Sequence, residues 1–134
     1  MPNKTVLITG STSGIGKGIA VAFAQQQYNV VFNGLEANGE DIAQEIAAQN
    51  KIGYLFSSAN MLNVEALQQM VQAAAEKFGA IDVLVNNAGI QHVSPIEDFP
   101  HEKWDAIIAI NLTAAFHLTK AVWPSMRRQN FGGL

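Results

Sequence analysis

Residues 9–18, "TGSTSGIGKG", stand between a short β-branched run, "TVLIT" (5–9), and a segment in which Ile15, Ile19, Ala22 and Phe23 recur at helical spacing. The chain must therefore bend from a strand into a helix within this stretch. Gly10, Gly14 and Gly16 permit a sharp turn and let backbone N–H groups approach a ligand that a side chain would hold off. The N-terminus of the following helix adds partial positive charge, so the turn suits a pyrophosphate. A tight turn without a ligand uses glycine for the same backbone reason, and the glycines alone leave that reading open. Counting removes two other phosphate loops. A Walker-type loop would need glycine where Ser11 stands and Ser or Thr where Gly18 stands. A G-x-G-x-x-G loop begun at Gly14 would need glycine in place of Ile19. The spacing that is left is G-x-x-x-G-x-G.

Outward from this loop, strand-like and helix-like patterns alternate. "NVVF" (29–32) is a second β-branched run, ended by Asn33-Gly34. Ile42 and Ile46 mark a helix whose acidic Glu40 and Asp41 suit an N-terminus. "IGYLF" (52–56) reads as a third strand. Val64, Leu67, Val71, Ala74 and Phe78 then keep helical steps throughout, with Asn63 as the expected cap and Gly79 as the expected stop. "IDVLV" (81–85) is a fourth strand. From Glu102 to Arg128 the pattern is helical again, and Pro124 is expected to kink or end it. Near-continuous apolar strands alternating with helices predict an α/β fold. Right-handed crossovers make it a Rossmann-type doubly wound parallel sheet with helices on both faces, in the order third, second, first, fourth strand.

Composition bounds the partners. The 134 residues, 49% of them hydrophobic, suffice for one core, so this is one domain or part of one. Charged residues are only 14% of the chain, which points to faces buried against something else. A net charge of −3 with no basic run argues against a nucleic-acid partner. Without cysteine there is no disulfide and no thiolate metal site, and no metal is expected. "MPNKTVLITG" lacks a signal pattern and no uninterrupted apolar stretch reaches membrane-spanning length, so a cytoplasmic protein without a membrane partner is expected.

Three ordered motifs carry a resemblance across the whole chain: Thr9 with its glycine loop, "NNAG" (86–89) directly after the fourth strand, and Asn111 within "AINLTAAFHLTKAVWPSM". Together they resemble the short-chain dehydrogenase/reductase family. The resemblance implies that Gly10, Thr12, Ser13, Gly14, Ile15 and Gly16 line a cofactor's phosphates, and that Asn87, Ala88 and Gly89 pass beside its nicotinamide-side ribose. Asn60 and Met61 stand where the family usually has Asp and an aliphatic residue near the adenine; Asn keeps hydrogen-bonding capacity and loses the charge. Asn111 corresponds to the family's asparagine that holds a water in the proton relay.

A 2′-phosphate on the adenine ribose needs a cation, and a free 2′-hydroxyl favours an acidic acceptor. No Lys or Arg occurs between Gly18 and Asn50; Asn33, Gly34 and Leu35 fill the region of the family's NAD-selecting Asp, and Glu36 is near. NAD is therefore expected over NADP. "GIQHVSPIEDFPHEKWD" (89–105) resembles the 3-hydroxybutyrate dehydrogenases within the family, which implies that Gln91 binds the substrate carboxylate. The reaction implied is reversible hydride transfer between nicotinamide and a short 3-hydroxy acid. An NADP-dependent 3-oxoacyl reductase of the same family and a non-catalytic nucleotide-binding fragment are the alternatives. His92, His101 and His117 show no carboxylate partner in the sequence and are not expected to act as bases.

The family's catalytic Ser, Tyr and Lys have no counterparts: Tyr28 and Tyr54 are the only tyrosines, and neither lies in a Y-x-x-x-K context. "IDVLV" is apolar on both faces yet would lie at the sheet edge, while Gly132 and Gly133 can end the long helix in a left-handed turn and Leu134 can open another strand. The chain is therefore expected to be an N-terminal part, inactive alone. Trp104, Ile107, Ile108, Ile110, Leu112, Phe116, Leu118, Val122 and Trp123 make the last helix apolar around much of its circumference. One face is expected on the sheet and another, containing Phe116, in a homo-oligomer.

Overall fold

In the computed structural model, which describes residues 3–134, four parallel strands alternate with helices. The strands are β1 (Thr5–Ile8), β2 (Asn29–Asn33), β3 (Tyr54–Ser57) and β4 (Val83–Val85). Their order is β3-β2-β1-β4, as the sequence pattern predicts, with Val6 level with both Val30 and Val83. Side chains alternate across the sheet and supply two cores. Leu7, Val31 and Leu84 face α3 (Val64–Phe78) and α5 (Ala114–Arg128). Val6, Ile8, Val30 and Phe32 face α1 (Gly14–Gln25) and α2 (Gly39–Asn50). A strand buried on both faces has no polar positions to spare, which explains the unbroken apolar runs.

Several boundaries differ from the sequence pattern for local reasons. β3 starts at Tyr54 because Lys51, at φ 55°, ends α2 in a left-handed turn, with the Ile52 N–H donating to Ala47 O at 3.1 Å. α1 buries Gly16, Ala20 and Ala24, while Ile15 is 79% exposed and Ala22 is also outside the core. Asn63 caps α3 through Ala66 N–H, and Gly79, at φ +90°, follows its last residue. Pro124 neither ends nor splits α5, which runs on to Arg128.

α4 (His101–Ile108) joins α5 through one π-helical turn, Ala109–Thr113. The continuous helix His101–Arg128 has 28 residues and a mean hydropathy of 1.3 in its most apolar window, long and apolar enough to cross a membrane by those measures alone. Polar Asn111, His117 and Lys120 interrupt it, which is why a search for an unbroken apolar stretch passes it over. Ala114, Leu118, Val122 and Met126 are in the core, whereas Trp104, Leu112, Phe116 and Trp123 are exposed.

At the far end, Asn130 rather than a glycine takes the left-handed turn, at φ 55°. The Phe131 N–H donates to Met126 O at 3.2 Å and the Asn130 N–H to Arg127 O at 3.3 Å, the paired bonds of a Schellman ending. Asparagine tolerates that conformation because its short polar side chain hydrogen-bonds locally. The turn lays Gly133 beside β4 in parallel: Leu84 N–H donates to Gly133 O at 2.8 Å, and Gly133 N–H to Asp82 O at 3.0 Å.

Candidate functional site

The loops after all four strands meet in one cleft of about 360 Å³. Gly10, Ser13, Ile15 and Gly16 come from the first loop, Gly34, Leu35 and Glu36 from the second, Ala59, Asn60 and Met61 from the third, and Asn87, Ala88, Gly89 and Ile90 from the fourth. Asn33 and Ile110 complete the wall. This is the carboxyl side of a parallel sheet, where helix N-termini and strand ends converge on ligands. A larger groove of about 470 Å³ lies elsewhere, between the end of α5 and Phe131–Leu134, and gathers no comparable set of strand-end loops.

Glycine is required in the first loop for two different reasons. Gly10 and Gly14 have φ of +61° and +56°, a region costly for other residues. Gly16 sits where a Cβ would overlap the Gly10 carbonyl. Ser13 occupies the N-cap of α1 but makes no capping bond; its hydroxyl donates to Glu36 Oε1 at 2.9 Å. The first-turn amides of α1 are thus left open toward an anion.

"NNAG" braces this loop from below. Thr9 Oγ1 accepts from Asn87 N–H at 3.0 Å and from Ala88 N–H at 2.9 Å. In return, Asn87 Nδ2 donates to Thr9 O at 3.0 Å and to Gly10 O at 3.1 Å. Asn33, 2% exposed, ties in the other side: its Oδ1 accepts from Gly10 N–H at 3.0 Å, and its Nδ2 donates to Ser57 O at 3.1 Å and Ala59 O at 3.0 Å. Thr9 heads the glycine motif and Asn33 ends the second strand in the sequence, and the hydrogen bonds that make both of them structural parts of the site come from the fold.

Glu36 is the only charged residue lining the cleft among the described residues. Its carboxylate accepts from Thr12 Oγ1 as well as from Ser13, and the Thr12 hydroxyl is the main cause holding its carboxyl below the usual range. Thr12, expected beside the phosphates, is instead buried at 2% exposure with its hydroxyl on Glu36. Gly14 shapes the turn without lining the cleft. Leu35 and Ile15, 69% and 79% exposed, are apolar walls. Asn60 Oδ1 accepts from Leu62 N–H at 2.9 Å, closing an Asx turn that leaves its amide donors for a ligand.

Asn111 lies in the π-helical turn, a geometry that re-aims side chains within a helix. Both ends of its amide engage Ile90: Oδ1 accepts from the N–H at 2.9 Å and Nδ2 donates to the carbonyl at 2.8 Å. Gln91 is the next residue, on an exposed loop, and its side chain makes no hydrogen bond among the described residues. His92 packs edge-on against Phe99 and His117 against Phe116. Neither tyrosine reaches the cleft: Tyr28 packs on Phe23, and the Tyr54 hydroxyl donates to Glu40 at 3.0 Å. That acceptor is the main reason the Tyr54 hydroxyl is held above its usual pKa.

Open helix amides, a glycine floor, apolar walls for rings and one carboxylate at the rim suit a dinucleotide. The sequence profile of the short chain dehydrogenases matches residues 4–134. D-beta-hydroxybutyrate dehydrogenase of Cupriavidus necator is 51% identical over 133 residues, covering 96% of this chain and 50% of that protein. A 3-oxoacyl-[acyl-carrier-protein] reductase of Staphylococcus epidermidis is 34% identical, covering 98% of this chain and 54% of its own length. An alcohol dehydrogenase from the archaeon Thermococcus sibiricus, solved with 5-hydroxy-NADP, superposes with a TM-score of 0.91 at 27% identity over 97% of this chain and 56% of that one. The chain thus spans about half the length of the relatives it matches. The profile match over residues 4–134 shows that the chain belongs to the short-chain dehydrogenase family, whose members use nicotinamide cofactors.

Proposed function

We propose that residues 1–134 form the NAD-binding part of an oxidoreductase acting on a short 3-hydroxy acid, with 3-hydroxybutyrate and acetoacetate as its substrate pair. The observation that carries the cofactor is the rim of the cleft: among the described residues, Glu36 is its one charged residue and no Lys or Arg lines it. A carboxylate there repels a 2′-phosphate and accepts a hydrogen bond from a 2′-hydroxyl. When bound, the nicotinamide supplies hydride transfer to and from C3 of the substrate. The chain's own residues hold the dinucleotide: α1 amides at the pyrophosphate, Asn60 and Met61 toward the adenine, Ala88 and Gly89 toward the nicotinamide ribose. Gln91, next to Ile90 at the cleft, is free to offer its amide donors to a substrate carboxylate.

The substrate class is supported by the likeness to the Cupriavidus necator enzyme and by "GIQH". Hydride transfer also needs a proton acceptor at the substrate oxygen. Tyr28 and Tyr54 are both engaged away from the cleft and are not placed to be that group. The exposed side of α5 would meet a second copy of the protein in the cytoplasm.

The rival reading is an NADP-dependent 3-oxoacyl reductase, supported by the Staphylococcus epidermidis relative. The test uses protein from the full coding sequence, with initial rates for D-3-hydroxybutyrate and each cofactor. NAD should exceed NADP by at least about tenfold in kcat/KM, or about 1.4 kcal/mol. Equal use of both overturns the cofactor assignment, and faster NADPH-driven reduction of a 3-oxoacyl thioester favours the rival. No turnover under any condition leaves a nucleotide-binding module.

A further inference from the structure

Asn33 ends β2, where an acidic side chain would ordinarily reach the adenine ribose. Its amide is committed internally, donating to Ser57 O and Ala59 O and accepting from Gly10 N–H. A carboxylate in its place would face two carbonyl oxygens without a proton to offer either. The ribose-reading acceptor therefore has to stand elsewhere, and Glu36 lies at the cleft rim.

An exposed glutamate on a loop would ordinarily sample many rotamers. Glu36 does not hang free, because Thr12 Oγ1 donates to its Oε2 and Ser13 Oγ donates to its Oε1 at 2.9 Å. The two donors differ in rigidity: Ser13 is exposed, whereas Thr12 is 2% exposed and β-branched. Gly34 completes the cradle, since a Cβ there would overlap both Thr12 Oγ1 and Glu36 Oε2. An ionised carboxylate has about four acceptor sites, so Glu36 keeps capacity for a ribose hydroxyl while both protein bonds stay in place.

We propose that Thr12 is a positioning residue for cofactor choice: it fixes the Glu36 carboxylate at the rim, and Glu36 so fixed admits a 2′-hydroxyl and excludes a 2′-phosphate. This rests on the NAD reading above and adds to it a requirement for position as well as charge. Geometry separates the two. Glu36→Asp keeps the charge but is one methylene too short to hold Thr12 and the rim together, and its exposed site spares the fold.

The experiment titrates NAD and NADP separately into protein from the full coding sequence, by calorimetry, and reads the ratio of the two dissociation constants. The unaltered protein should favour NAD by at least about tenfold. Glu36→Gln should bring the ratio close to one. Glu36→Asp and Thr12→Val should each lose at least about half of the preference on a logarithmic scale, while Thr12→Ser keeps it. If Glu36→Gln abolishes the preference but Glu36→Asp retains it in full, charge alone suffices and the positioning role is overturned. If every variant keeps the original preference, Glu36 is not the reader, while the NAD assignment stands. A starting protein with no preference overturns the NAD assignment and this proposal together. Should Thr12→Val not fold, Glu36→Asp decides the matter by itself.

Discussion

Thr9→Val removes one oxygen from the joint between the glycine loop and "NNAG" and keeps the side-chain volume. Thr9 is 2% exposed, and its Oγ1 accepts from both Asn87 N–H and Ala88 N–H. The two donors fare differently after the change. Asn87 N–H retains Val85 O at 3.1 Å, but Ala88 N–H has no other acceptor among the described residues. A lost neutral bond is worth about 1 kcal/mol net, and the Ala88 N–H, half-buried at the cleft, loses its acceptor without the full penalty of a buried donor. The expected destabilisation is thus about 1–2 kcal/mol, or roughly 5 °C in Tm for a domain of this size. Urea unfolding followed by tryptophan fluorescence measures it, with Thr9→Ser as the control that keeps the acceptor. NAD affinity should fall as well, because Ala88 lines the cleft that Thr9 holds in place. A loss below about 0.5 kcal/mol with unchanged NAD affinity would refute the view that this hydroxyl joins the loops.

Other outcomes follow from the same geometry. Gly16→Ala should weaken NAD binding by at least about tenfold, since its Cβ would overlap Gly10 O and force the loop open; binding within twofold of the original counts against it. Gln91→Ala should weaken 3-hydroxybutyrate binding by about 1–3 kcal/mol with NAD affinity nearly unchanged, and an equal loss for both ligands would make Gln91 a loop support. Phe116→Glu, at an exposed apolar position of α5, should dissociate the oligomer proposed for the full protein in sedimentation, and an unchanged profile removes that face from the proposed interface. The Thr12 and Ser13 hydroxyls hold the Glu36 carboxyl below its usual range, so it stays ionised down to mildly acid pH. Discrimination against NADP should therefore be flat from about pH 8 to about pH 6 and be lost only as pH falls through that lowered pKa. A decline already complete by about pH 6 would contradict the assignment.

What the sequence reveals of this fold depends on how far a residue's role is local. The steps of three and four in Val64–Phe78 report α3 directly, because one stripe of that helix faces one core. The four apolar runs report a sheet covered on both faces, and "NNAG" marks the brace under the glycine loop. Ile15 misleads because an apolar residue at helical spacing can face a ligand cleft as readily as a core. The left-handed turn at Asn130 is hidden by the two glycines that follow it, which are the better candidates by composition. Least legible are the hydrogen bonds that Thr12, Asn33 and Glu36 make. Each of these residues is polar and sits in a loop or strand end, and its partner comes within reach only once β1 and β2 lie side by side and bring together positions more than twenty residues apart.

Hydrogen–deuterium exchange with and without NAD asks whether one cleft over the carboxyl ends of the strands holds the cofactor. Protection should appear together at Gly10–Gly16, Leu35–Glu36, Asn60–Met61 and Ala88–Ile90, with the start of α1 slowed most, since its open amides face the pyrophosphate. NAD binding that leaves those four segments unchanged, or that protects only the groove beside Trp123 and Phe131, would contradict the account.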